Sequence, residues 1–242
     1  MKQEQYNPVY INKQINIIID KNYEIISSDT EKIINTIFNK GEKEQGILLE
    51  SIIQRIIMKK KNPDIIDGLI YQKLIETDKQ AIKEKVLKFF PNGILTLKLP
   101  LTINYQPLQE LLMSKKFQEA DKLTQIYLCK LVEIKTKHKK EWLYFTDIQF
   151  LPIEDISIID YLWKIYSKGK FGFSTQKKIW INNNKKWDKL WERINWINNE
   201  NGAMRRYPQE FTWNLEAPEG HLPLFNQLRG TQTLSYLFNS IK

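Results

Sequence analysis

An all-α fold is predicted for this chain of 242 residues by two observations. Apolar residues recur at three- and four-residue steps through both halves, and residues able to start or stop helices stand where those stripes begin and end. A third observation divides the chain. All seven tryptophans, from Trp142 to Trp213, lie in the last 101 residues, whereas residues 1 to 100 contain only seven Phe and Tyr. Between the halves, Pro91-Asn92-Gly93, Pro100 and Tyr105-Gln106-Pro107 supply turn chemistry, since proline fixes φ and glycine accepts positive φ. The expected organisation is a small bundle of antiparallel helix pairs over residues 1–95 and a second helical domain over residues 105–242.

In the first half, Ile33, Ile34 and Ile37, then Ile47, Leu48, Ile52, Ile56 and Ile57, define amphipathic stripes. Asp64, after Pro63, is placed to cap a helix opening with Ile65 and Ile66, and Thr77 or Asp78 to start one ending near Phe89-Phe90. Lys59 to Lys61 reads as a solvated helix end, where cations oppose the dipole. In the second half, Leu108, Leu111 and Leu112, then Phe117, Ala120, Leu123, Tyr127, Leu128 and Leu131, predict a helical hairpin turning near Ser114. Asp155 is placed to cap a helix buried through Ile158, Ile159, Leu162, Trp163 and Tyr166 and stopped at Gly169. Ser174 would cap a segment carrying Ile179 and Trp180, and Trp187, Leu190, Trp191 and Ile194 form a further stripe. After Trp196 the period is lost. From Asn198 to Lys242 the chain reads as irregular yet rich in large apolar groups, interrupted by Pro208, Pro218, Gly220 and Pro223.

Composition narrows the function. With 37 Lys and Arg against 28 Asp and Glu, the net charge of +9 favours acidic partners: nucleic acid, anionic lipid or a carboxylate-bearing small molecule. One cysteine, Cys129, excludes a disulfide framework, and two histidines, His138 and His221, leave little for a protein-built zinc site. Apolar runs such as Ile17 to Ile19 are far shorter than the roughly 18 residues of a membrane span, and Met1 to Asn7 has no signal-peptide core. A soluble, non-secreted protein is expected. Abundant Ile, Lys and Asn beside five Arg point to an AT-rich genome, such as that of an organelle.

No phosphate-cradling loop, G-x-S-x-G elbow or H-E-x-x-H pair is present, so an enzyme is not expected. Cys129 reads as a mid-helix core thiol, His138 among Lys135, Lys137, Lys139 and Lys140 as exposed, and His221 as a loop histidine with a structural hydrogen bond rather than an axial metal ligand. Asp147 with Asp155, or Glu216 with Glu219, are the carboxylate pairs on offer for acid and base work. Gly169-Lys170-Phe171-Gly172 matches a short G-x-x-G clamp, and Lys170 to Phe173 partly resembles an RRM aromatic strand, which makes a basic, aromatic-rich nucleic-acid-binding protein the alternative reading. The large apolar groups of the tail, Tyr207, Phe211, Trp213, Leu215, Leu222, Leu224, Phe225 and Leu228, beside Arg205, Arg206 and Arg229, suit a flat, apolar, anionic ligand.

Four stretches carry a resemblance to a known family: LQELLMSKKFQEAD from Leu108, EWLYFTDIQFLP from Glu141, IDYLWKIYSKGKFGFSTQKKIW from Ile159 and FTWNLEAPEGHLPLFNQLRG from Phe211. The chain resembles the genomes-uncoupled-four proteins of oxygenic phototrophs, of algal plastid or cyanobacterial type. The resemblance implies a helical, cupped-hand domain that binds protoporphyrin IX and magnesium-protoporphyrin IX and stimulates magnesium chelatase in chlorophyll biosynthesis. The implied partner is the large porphyrin-binding subunit of the chelatase, with no nucleic acid. A monomer is implied, with peripheral association to membranes left open, in the plastid stroma, or in the cytoplasm for a cyanobacterial member. Implied ligand contacts are Phe117, Phe145, Ile148, Tyr207, Phe211, Trp213, Asn226, Leu228 and Arg229, with Arg229 foremost; no metal-ligating or catalytic residue is implied. Two departures, Tyr207 in place of a common tryptophan and Gln232 in place of a frequent second arginine, imply a weaker grip on the ligand. The physics of a hydrophobic disc with two propionates on one edge agrees with this. Burying roughly 300 Å² of ring at about 25 cal/mol per Å² gives on the order of 7 kcal/mol before association costs.

Overall fold

The computed structural model describes residues 8–97, 102–198, 202–225 and 231–241, and all regular structure among them is helical. The chain divides into two compact units, Met1–Thr96 and Leu97–Lys242.

In the first unit, α1 (Pro8–Ile19), α2 (Ser28–Phe38), α4 (Ile65–Ile75) and α5 (Gln80–Phe89) all pack on α3 (Glu42–Ile53), whose Leu48, Leu49, Ile52 and Ile53 form the centre. Helix α4 is buried on nearly every side, as a helix apolar all round must be. Its start is fixed by a reciprocal box: Asp64 accepts the Ile65 N–H, and Asp67 accepts the Asp64 N–H at 2.7 Å. Helix α5 begins at Gln80, two to three residues after the Asp78 or Thr77 that the sequence suggested, and the Thr77 hydroxyl turns inward to the buried Gln45 carbonyl at 2.6 Å. The predicted stripes are corrected at two places: Ile33 and Ile57 are exposed. At Ile57 the reason is a π-helical turn, Gln54–Met58, that continues α3 and rotates the following side chains off its buried face.

That turn brings Arg55 inward. Its guanidinium donates to the Ile19 carbonyl at the end of α1 and stands 3.3 Å from the buried Asp67 and 3.6 Å from Asp64. Burial pushes the Asp67 carboxyl up to about 6 despite the pull of Arg55, so the pair is held together by mutual need rather than by net gain.

The second unit contains α6 (Gln106–Met113), α7 (Phe117–Thr136), a 3-10 helix (Phe145–Phe150), α8 (Ile153–Tyr166), α9 (Phe173–Asn182), α10 (Trp187–Arg193) and α11 (Thr231–Ser240). Helices α6 and α7 meet through residues 114–116, where Lys115 takes φ +56°. The core joins Phe117 to Trp163 at 6.0 Å and to Phe171 at 5.4 Å, and the Trp163 indole N–H reaches the Thr124 hydroxyl at 3.0 Å. Two expected caps are corrected. Asp155 lies inside the first turn of α8, where it accepts from the Tyr105 hydroxyl at 2.6 Å and from Thr102 at 3.0 Å. The N-cap position of α9 is Gly172 rather than Ser174, and Asp160 of α8 accepts the Ser174 N–H at 2.8 Å in place of a local cap. The expectation of an irregular chain up to Lys242 is also corrected: α11 buries Leu234, Leu237 and Phe238 at helical spacing.

Replacing Arg55 with Met would leave Asp67 buried without a counter-charge. Urea unfolding of this variant should show the first unit destabilised by about 3–5 kcal/mol, the usual cost of breaking a buried pair from one side.

Candidate functional site

The tail from Ala217 to Phe225 is a buried strap rather than a solvated loop, and nearly every backbone polar group of residues 220–224 is engaged. The Gly220 N–H donates to the Lys170 carbonyl at 2.8 Å, and the Leu222 carbonyl accepts the Gly172 N–H at 2.9 Å. One side-chain amide, Gln176 of α9, donates to both Gly220 and Pro223 carbonyls at 2.9 and 2.8 Å. The Trp196 indole donates to the His221 carbonyl at 2.8 Å. Leu224 is gripped from α7 at both ends: Asp121 accepts its N–H at 2.7 Å and Gln125 donates to its carbonyl. Gly220 is required here. Its φ is +77°, and a Cβ would lie 2.8 Å from Ile179 and 2.9 Å from Ile194.

His221 is fully buried, with Nδ1 2.6 Å from the Ile194 carbonyl and Nε2 accepting the Thr212 N–H at 3.1 Å. Both ring nitrogens are therefore occupied, and burial lowers its pKa, so the ring is a neutral structural brace with no lone pair for a metal. On it rest the tail aromatics: Phe211 lies 5.5 Å from His221, Trp213 6.2 Å from Phe211, and Tyr207 5.8 Å from Trp213. Tyr207 is 40% exposed and Trp213 half-buried, so this line of rings runs from the interior to the surface.

Helix α7 also packs against the 3-10 helix, and the 3-10 helix against α11. Phe145 and Tyr236 meet there at 5.7 Å while remaining 39% and 51% exposed. Ile126, Tyr144 and Phe150 are exposed as well. A cleft of about 340 Å³ opens beside Gln125, Ile126, Cys129, Lys130 and Lys140. Lys140 is turned to Asp147 at 2.8 Å, which also accepts the Tyr144 N–H and so holds the start of the 3-10 helix. Asp121 is completely enclosed, and desolvation pushes its carboxyl up to about 8 against the opposing effects of the Leu224 N–H and Lys122; the Tyr207 phenol is raised first by its own burial and then by Asp121.

The structure separates the residues singled out from the sequence into three groups. Phe145, Tyr207 and Trp213 present ring surface to solvent, whereas Phe117 and Ile148, each 1% exposed, and Phe211 are interior. The faces of these three are covered by neighbouring side chains in this structure. Asn226, Leu228 and Arg229 lie outside the described residues. Tyr236 was missed, although Leu234, Leu237, Phe238 and Ile241 follow the helical period that would have placed it on an outer face. Phe171 and Phe173 are fully buried at helix junctions, so the aromatic pair that suggested nucleic-acid binding is core. Cys129 is half-buried with its thiol pushed up to about 11 by burial, which disfavours a nucleophile, and His138 is exposed. Among the described residues no three His, Cys, Asp or Glu gather as a metal site. No described helix is long and apolar enough to cross a membrane.

Because Asp121 binds its proton more tightly in the folded chain than in the unfolded one, its contribution to stability is fullest below about pH 4 and is lost as pH rises to about 8. Thermal unfolding across that range should reveal a decline of at most about 1.4 kcal/mol per pH unit from this group. Asp121→Asn, which keeps an oxygen acceptor but cannot ionise, should flatten that part of the profile.

Comparison with known proteins identifies the family. A family model described as GUN4-like matches residues 99–240. The Ycf53 protein of Porphyra purpurea is 44% identical over 208 residues, 86% of this chain and 86% of that one. The chloroplastic tetrapyrrole-binding protein of Arabidopsis thaliana is 34% identical over 137 residues, 54% of this chain and 51% of its own length. Among solved structures, GUN4 from Chlamydomonas reinhardtii is 34% identical and superposes with a TM-score of 0.51, covering 60% of this chain and 93% of that one. The helical second unit, its aromatic tail and these matches together place the chain in the GUN4-like family.

Proposed function

We propose that this protein binds protoporphyrin IX and magnesium-protoporphyrin IX on the tail side of α7 and, so loaded, stimulates magnesium chelatase through its large porphyrin-binding subunit. It carries out no chemistry of its own in this reading. Family membership supports it, as does the relative from Arabidopsis that bears the name of a tetrapyrrole-binding protein. The observation that carries it is the uncovered ring surface of Phe145 and Tyr236, which meet at 5.7 Å while remaining exposed. Exposed aromatics grouped on one side of a fold are costly to leave in water and are suited to a flat apolar partner.

The residues divide the work. Phe145, Tyr236, Tyr207 and Trp213 supply ring faces, and Phe117, Ile148 and Phe211 hold the backbone behind them. Arg229 is assigned to a propionate, as the family resemblance implies. With both His221 nitrogens occupied, that ring does not serve as an axial ligand to the magnesium. A plastid stromal location accords with the chloroplastic relative. We assign the protein as a monomer, whose association with membranes would be peripheral.

Titration of the purified chain with protoporphyrin IX and its magnesium form, followed by the Soret band and tryptophan quenching, should show saturable binding at roughly micromolar Kd or tighter. Arg229→Ala should weaken it several-fold, and Tyr236→Ala about fivefold, the equivalent of losing roughly 1 kcal/mol of ring contact. The absence of any spectral change would overturn the reading. Affinity that instead belonged to nucleic acid and collapsed with salt would favour the alternative. A fragment of residues 100–242 should fold, by circular dichroism, and bind the pigment. Failure of a helical fragment to bind would show that the first unit contributes to the site.

A further inference from the structure

We propose that a groove between α1 and α2 of the first unit docks an acidic amphipathic helix of a partner protein. The groove, of about 400 Å³, is lined by Lys13, Gln14, Ile17, Ile18 and Lys21 on the α1 side and by Ile33 on α2. Both helices pack on α3, and their outward-turned residues form its walls. Ile17 is 53% and Ile33 41% exposed, although the other described isoleucines of α1 and α2 are buried. Single exposed apolar side chains are ordinary. Two that face one concavity from different helices are apolar surface left for a partner.

The charges along the groove define what that partner carries. Lys13, Ile17 and Lys21 are spaced four residues apart, hence on one face, with Ile17 between two ammonium groups. Lys21 follows the last turn of α1, which its N–H closes on the Ile18 carbonyl at 3.4 Å. Eight residues at roughly 1.5 Å each separate the two lysines by about 12 Å along the axis. Both lysines are exposed, and among the described residues no carboxylate lines the groove. The nearby Asp20 and Asp29 are turned to Lys61 at 4.0 Å and to Lys32 at 3.7 Å. A helix laid along the groove, with carboxylates four residues before and four after an apolar residue, brings a negative charge to each lysine. Its apolar residue then lies against Ile17 and Ile33. A bilayer fits less well, because a flat surface meets side chains that protrude, whereas these isoleucines line a hollow.

The test titrates the isotope-labelled full chain with a synthetic alanine-based helix of about 18 residues that carries Glu-x-x-x-Leu-x-x-x-Glu and further leucines on the same face. Amide signals of α1 and α2 should shift saturably, with a Kd on the order of 100 μM. The same peptide with lysine for both glutamates should bind at least about tenfold more weakly, and the double variant Lys13→Glu, Lys21→Glu should reverse that preference. Ile17→Ser should weaken binding of the acidic peptide about fivefold. All three positions are exposed, so these variants should keep the wild-type melting curve. The absence of a saturable shift at millimolar peptide would overturn the proposal, as would equal affinity for the two peptides. Binding to phosphatidylglycerol vesicles that depends on Lys13 and Lys21, without a response to the peptide, would assign the groove to lipid and overturn it too. So would peptide binding that emerges only after residues 2–7 are removed, which would give the groove to the chain's own N-terminal segment. The groove belongs to the first unit, so none of these results turns on whether the second unit binds pigment.

Discussion

The second unit depends on one constraint: a stretch of irregular chain can run through a protein interior only if its N–H and C=O groups find partners there. The strap from Gly220 to Leu224 meets it with side chains, chiefly the single amide of Gln176 and the pair Asp121 and Gln125. Those side chains sit on α7 and α9, so the two helices are bound through a segment that belongs to neither. The same strap places His221 between Ile194 and Thr212, and His221 carries Phe211 and the rings beyond it. A fold of short helices with modest contact to one another thereby acquires a fixed relation between its tail aromatics and α7.

Most of the tryptophans that mark the second half serve this scaffold. Trp180, Trp187, Trp191 and Trp196 stack in succession at 4.8, 5.4 and 5.3 Å, and Trp180 also meets Phe238 of α11 at 5.6 Å. Such stacks add roughly 0.5–1.5 kcal/mol per pair beyond the area they bury. They hold α9, α10 and α11 in place. An abundance of tryptophan therefore marks a half of the chain in which most of these rings serve packing between helices.

The helices of the first unit were legible because their stripes obey the helical period and Asp64 caps where a cap is needed. Ile57 was misread because the π-helical turn adds a residue to the register, and nothing in QRIIM betrays it. Asp155 and Ser174 have the residue types of caps, yet tertiary partners outbid the local role: Tyr105 and Thr102 take the first, and Asp160 reaches the backbone of the second. Of the tail, proline and glycine content masked a C-terminal helix whose period was present in Leu234, Leu237 and Phe238.

Local pattern thus determined what depends on neighbours within a few residues: the helical class, the positions of the main stripes, the turn-rich join between the halves, and the resemblance in the four quoted stretches. Which rings are covered was decided only by the tertiary structure, as was the meeting of Phe145 with Tyr236, 91 positions apart in the chain, and of Asp121 with Leu224, 103 apart. The reason is physical. Burial and hydrogen-bond partnership across such separations are set by how helices pack, and packing satisfies the whole core at once rather than any one segment's preference.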